Sequence, residues 1–223
     1  MSGPFAVPLP VDLAAVAVGS VQGAVFATRM ARERHIDIIG IVVIGIATGV
    51  GGGMIRDLLL EQPVAALASN RYLVTAALAA LAGMIFADLV NRMEIVVVAI
   101  DAASLGLWAV VGTYKASGFG FGVVPSAFVG VIACVGGTII RDLLMRTEVS
   151  LVRVGSFYSF AALGGVTTFL AVDQIADSLT AASAAILVTF GLRMLAYFFG
   201  WRTPRSRTLN LPPKGSKDLR GSR

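Results

Sequence analysis

Gly51-Gly52-Gly53-Met54-Ile55-Arg56-Asp57-Leu58-Leu59-Leu60 returns 85 positions later as Gly136-Gly137-Thr138-Ile139-Ile140-Arg141-Asp142-Leu143-Leu144-Met145. Both stretches sit inside long apolar runs. Glycine there costs a helix about 1 kcal/mol per residue against alanine, and an Arg-Asp pair is expensive to bury. Incurring both costs at two matched places implies a duplicated membrane unit with broken helices and a polar path.

The rest of the chain agrees with a membrane setting. Of its 223 residues 57% are hydrophobic and only 14% charged, and the mean hydropathy is +0.84. Soluble domains carry about a quarter charged residues. Apolar runs of roughly 20 residues recur, each long enough to cross about 30 Å of hydrocarbon. The expected fold is an all-α integral membrane protein with seven spans, near 11–28, 36–60, 72–90, 95–114, 121–145, 156–172 and 179–200.

The duplication reaches past the opening motif. Asp12 to Gly23 matches Asp101 to Gly112, and Tyr72 with Ala76-Ala77-Leu78 matches Phe157 with Ala161-Ala162-Leu163. The expected organisation is a short extracellular N-terminus (1–10), three-helix repeats at 11–92 and 93–176, a seventh helix at 177–201 and a basic tail at 202–223. An odd number of crossings per repeat inverts the second copy about an axis in the membrane plane.

Charge placement predicts orientation. Arg29, Arg32 and Arg34 follow span one, Arg92 follows span three, and Arg146 and Arg153 follow span five. The tail adds Arg202, Arg205, Arg207, Lys214, Lys217, Arg220 and Arg223, while the opposite face holds little beyond Arg71 and Lys115. The positive-inside rule puts the C-terminus in the cytoplasm and the N-terminus outside a cell inner membrane. The tail is expected to meet anionic lipid headgroups rather than nucleic acid. No basic region precedes the first span, so that helix is expected to be retained rather than cleaved as a signal. Cys134 stands alone and forms no internal disulfide.

Within the repeats, Gly45 and Gly49 have the small-xxx-small spacing of close helix packing. The run Gly51, Gly52, Gly53 and its counterpart Gly136, Gly137, Thr138 go further and predict a kink or local unwinding. Freed backbone groups must then face water or protein, which makes these residues the expected constriction. Adjacent helical residues point about 100° apart, so Arg56 and Asp57 are not natural partners, nor are Arg141 and Asp142. Inverted symmetry predicts Arg56 facing Asp142 and Asp57 facing Arg141. The alternative is snorkelling near the headgroups, where the pairs act as surface fasteners at the pore mouths.

Asp12 and Asp101 are matched acids near helix starts, suited to capping the helix or complementing its dipole; Asp101, the deeper of the two, is also a candidate pathway residue. Thr48, Thr138, Ser20, Ser104 and Tyr158 offer oxygens along a cation path, or bond their own helix backbones. His35 lies in a basic loop. A phosphate-binding loop is excluded, because Met54 stands where the third glycine belongs and the context is a membrane span. No metal-ligand spacing and no Ser-His-Asp pattern occur, so neither a resident cofactor nor enzyme activity is expected.

With the doubled Gly-Gly-Gly-x-x-Arg-Asp element in a seven-span inverted repeat, residues 11–200 resemble the prokaryotic branch of the trimeric intracellular cation channel (TRIC) family. The chain is also similar to related bacterial two-repeat proteins proposed to transport glycine. The resemblance implies a homotrimer with a pore in each protomer. It further implies that the second and fifth spans line the pore and that monovalent cations, chiefly potassium, permeate. Thr138 departs from the third glycine expected in the second copy, and the Lys-Glu-Val lipid-binding element of animal members is absent. A carrier for a small zwitterion such as glycine is the competing expectation, and a non-transporting scaffold the third.

Overall fold

The computed structural model describes residues 7–149 and 157–201, apart from the side chain of Arg32. Arg153 and the basic tail from 202 onward therefore lie outside the described residues, as do 1–6 of the expected N-terminal segment. The described chain is helical throughout: α1 (Leu9–Arg34), α2 (Ile38–Leu59), α3 (Ala65–Ala68), α4 (Asn70–Asn91), α5 (Glu94–Gly118), α6 (Val123–Leu144), α7 (Tyr158–Val172) and α8 (Ser178–Phe199).

Helix ends follow from local chemistry. Asp37 accepts the Gly40 amide at 2.7 Å and starts α2. Asp177 starts α8 by accepting the amides of Leu179 and Thr180. The Thr180 hydroxyl and amide hold the Asp177 carboxyl below the usual carboxylate range. Left-handed residues stop α1 at His35, which is exposed, and α8 at Gly200.

Two differences from the expected span count appear. Six helices (α1, α2, α4, α5, α6 and α8) are long and apolar enough to cross a membrane. The expected sixth span is α7, an apolar helix of 15 residues. At 1.5 Å per residue it reaches only about 22 Å, short of a 30 Å core. A further short helix, α3, lies between the second and third spans.

Inside, the packing surface is made of small side chains. Ala15, Ala24, Ala76, Ala80, Ala102, Ala109, Ala133, Ala161 and Ala162 are fully buried, whereas Ile39, Leu58, Leu78, Phe128, Leu143 and Leu187 point outward. Lipid is as apolar as leucine, so burying leucine gains little, and close backbone approach decides which face turns inward.

Helices α1, α2 and α4 pack together, and α5 packs chiefly on α6 and α8, less on α7. The two groups meet where α2 crosses α6 and α1 lies on α5. Matched turns close α2 and α6. Gln62 N–H donates to the Asp57 carbonyl and Thr147 N–H to the Asp142 carbonyl, both at 2.9 Å. Glu61 and Arg146, counterparts in the two repeats, have φ of 53° and 51°.

Candidate functional site

The glycine runs meet each other. A β-carbon built on Gly52 would lie 2.1 Å from the Ala133 carbonyl oxygen, and one on Gly137 would lie 2.1 Å from that of Thr48. Gly51 and Gly136 face the same seam, against Ile140 and Ile55. Position 48 opposes 137 while 52 opposes 133, so the two helices run antiparallel. The expected unwinding does not occur: α2 and α6 stay helical through every glycine. Glycine here serves contact between two intact backbones, and the groups it meets across the seam are the carbonyl oxygens of Ala133 and Thr48. Thr48 and Thr138 donate their hydroxyls to Ile44 and Val135 in their own helices.

The third position of each run differs. Gly53 faces the Trp108 ring, which a β-carbon would approach at 2.8 Å. Its counterpart is Thr138, and the counterpart of Trp108 is Gly19.

The antiparallel crossing also corrects the expected cross-repeat ion pairs. Arg56 and Arg141 each lie about six residues beyond the midpoint of the crossing in opposite directions, roughly 18 Å apart along the axis. Arg56 therefore pairs within its own repeat. Its guanidinium turns back to Asp57 (Nη2 to Oδ1, 2.7 Å) and reaches Asp12 (Nη1 to Oδ1, 3.2 Å). Adjacent residues do pair here, because the long arginine stem curls over its neighbour. Arg141 does the same with Asp142 at 2.6 Å. Snorkelling is also overturned, since Arg56 is 1% exposed and Arg141 3%.

The first charge cluster is closed by three further contacts. Tyr72 OH donates to Asp12 Oδ2 at 2.8 Å, Lys115 Nζ to Asp57 Oδ1 at 2.7 Å, and Ala65 N–H to Asp57 Oδ2 at 2.9 Å. Trp108 lies 5.7 Å below the Arg56 guanidinium, within cation–π range. Asp12, Tyr72, Arg56, Gly53 and Trp108 border a small pocket, with room for about one water molecule. Asp12 is thus a buried ion-pair partner rather than a helix cap.

The second cluster is built differently. Asp101 accepts a hydrogen bond from Gln22 Nε2 on Oδ1, and from Arg193 Nη2 on Oδ2 at 2.7 Å. Arg193 comes from α8, outside the duplication, and stacks 5.1 Å over Tyr158. Tyr158 OH makes a long 3.4 Å contact to Thr138 Oγ1. The Arg141 guanidinium lies 4.1 Å over Phe26, the counterpart of Lys115. Among the described residues, ion pairs join Asp12, Asp57, Arg56 and Lys115 in the first repeat, and pair Arg141 with Asp142 and Arg193 with Asp101 in the second.

Of the oxygens expected along a path, Ser20 and Ser104 are buried on α1 and α5, and Ser20 Oγ has no hydrogen-bond partner. Sequence reasoning passed over Gln22, Arg193, the ion pair of Lys115 and the hydrogen bond of Tyr72. One signal was present for Arg193: a lone arginine within an apolar span is by default functional or paired.

Comparison with known proteins closes the picture. A family model described as Glycine transporter matches the chain twice, over residues 11–88 and 98–174. A UPF0126 membrane protein of Deinococcus radiodurans is 35% identical over 182 residues, covering 80% of this chain and 83% of that protein. The UPF0126 inner membrane protein YadS of Escherichia coli is 28% identical, covering 86% of this chain and 93% of that one. Among solved structures, the TRIC trimeric intracellular cation channel orthologue from Rhodobacter sphaeroides matches with a TM-score of 0.77 at 31% identity. That match covers 86% of this chain and 97% of the other. A second TRIC structure, solved to explain conductance, matches with a TM-score of 0.75 at 31% identity, covering 87% and 96%. The protein is an all-helical, multi-pass membrane protein of channel or transporter type, not an enzyme, and it belongs to the Glycine transporter (UPF0126) family.

Proposed function

We propose that this protein is a potassium-permeable monovalent cation channel whose path runs between α2 and α6. The observation that carries this reading is the backbone-to-backbone crossing at Gly52 and Gly137, with buried ion pairs of both signs beyond it on either side. At the crossing the closest groups are backbone atoms. Parting the helices there offers a cation carbonyl oxygens in place of its hydration shell. In the packing described above the crossing is shut. The likeness to TRIC cation channels at 31% identity supports the same reading. By the same analogy the protein forms a homotrimer with one pore per protomer, with seven spans counting α7. The charge pattern supports an N-terminus outside and a basic tail on the cytoplasmic side of the cell membrane, against anionic lipids.

A second reading, transport of a small zwitterion such as glycine, is favoured by the description of the family model that matches both repeats. Each cluster also presents both signs of charge, which suits a carboxylate and an ammonium together. Reconstituted liposomes separate the two. A channel gives potassium-driven flux that does not saturate at low concentration, and no uptake of labelled glycine. Saturable glycine uptake without ion conductance would reject the channel in favour of the carrier.

A further inference from the structure

The two charge clusters are related by the duplication but are not in the same arrangement. In the first repeat Arg56 holds Asp12, at 3.2 Å. The corresponding residues of the second repeat are Arg141 and Asp101. Asp101, however, is occupied on one oxygen by Gln22 and on the other by Arg193. Arg193 has no counterpart in the first repeat, because α8 lies outside the duplication. The backbone packing tells the same story: α1 packs closely on α4, whereas α5 packs more on α8 than on α7. The tyrosine hydroxyl that accompanies Asp12 is also missing from the matched position, which is Phe157.

Asp101 and Arg141 are nevertheless neighbours of one group. The Arg193 guanidinium that holds Asp101 stacks over the Tyr158 ring. The Tyr158 hydroxyl contacts Thr138, one turn before Arg141 on α6. A phenol and a threonine hydroxyl thus link the Arg193–Asp101 pair to the turn of α6 that carries Arg141.

We propose that Arg193 is a positioning residue that holds Asp101 away from Arg141, and that opening the α2–α6 crossing requires Asp101 to exchange Arg193 for Arg141. The exchanged arrangement is the one Asp12 and Arg56 already show in the first repeat. The inference rests on the reading of α2 and α6 as the pathway. Removing Arg193 takes away the competitor and shifts the population towards the exchanged state.

The test uses full-length protein in liposomes for flux and in detergent for thermal unfolding. Arg193→Gln is expected to raise flux several-fold, Arg193→Lys to keep it near wild type, and Asp101→Asn to lower it. The double variant Asp101→Arg with Arg193→Asp restores the α8 fastening but sets an arginine against Arg141. It is expected to recover thermal stability without recovering flux. Recovery of both, or a folded Arg193→Gln protein with unchanged or reduced flux, overturns the proposal. Should the double variant not fold, the contrast between Arg193→Gln and Arg193→Lys decides alone. A transport-independent arm separates this from the pathway reading: the stability coupling between Asp101→Asn and Arg141→Gln (Arg141→Lys if that does not fold) is expected to grow in an Arg193→Gln background. If wild-type protein conducts nothing while this coupling grows, the partner exchange stands and the channel reading falls. Unchanged coupling overturns the exchange itself.

Discussion

Gly52 and Gly137 hold equivalent places on either side of one helix crossing, each with its α-carbon turned onto a carbonyl oxygen of the other helix. No side chain fits at either place. Because the opposing atom is backbone, it cannot rotate away. Gly52→Ala and Gly137→Ala are expected to destabilise the protein to similar extents, each by about 1–3 kcal/mol or more, as overpacking does. Gly191→Ala is the control: nothing lies within 4 Å of its added β-carbon, so it should be neutral or stabilising by up to about 1 kcal/mol. Thermal unfolding in detergent measures all three.

Arg56 is buried with two carboxylates, so removing its charge strands both. Arg56→Gln is expected to cost about 3–5 kcal/mol, the usual penalty for breaking a buried pair. A double-mutant cycle should find coupling between Arg56 and Asp12 and none between Arg56 and Asp142, which lie at opposite ends of the crossing. Measurable coupling in the second cycle would contradict the antiparallel geometry.

Tyr72→Phe removes one hydroxyl that donates to a charged acceptor. The expected loss is about 1.5–3 kcal/mol, the range for hydrogen bonds to ionised groups. Phe157→Tyr, the reverse change in the other repeat, is expected to give no matching gain, since Asp101 already has both oxygens occupied. Unfolding midpoints of the two variants check the asymmetry.

Asp177 lies outside the spans, with its carboxyl held low by the Thr180 hydroxyl and amide. A depressed folded value means its stabilisation is fully present above the unfolded carboxylate value of about 3.9. It is lost as pH falls through the folded value. Wild type should therefore unfold at a higher temperature than Asp177→Ala near neutral pH, with the two midpoints converging in acid.

Much of the architecture could be read from apolar length and from the repeat. The bounds of α2, α4 and α6 fall within two residues of the expected spans. The antiparallel crossing of α2 and α6 brings the two glycine runs into one place. Two kinds of error share a cause. Glycine was expected to break the helix, yet a neighbouring backbone at van der Waals distance stabilises an unbroken one. Arginine was expected to find its partner by symmetry, yet a long flexible side chain in a dry interior takes the nearest carboxylate, even the adjacent one. Lys115 and Gln22 were not legible as partners because their acceptors lie on helices 58 and 79 positions away. Span lengths alone do not say which helix face meets which.

The exchange of bulk between Gly53 and Thr138, and between Trp108 and Gly19, has a consequence for the duplication as a whole. A chain assembled from two first halves would set Gly19 where Trp108 fills space beside Gly53, and would leave a hole at both ends. One assembled from two second halves would drive a tryptophan against a threonine twice. The halves have become complementary castings, each shaped to the other's departure from the shared form. Neither alone, nor doubled, carries the instructions for the whole.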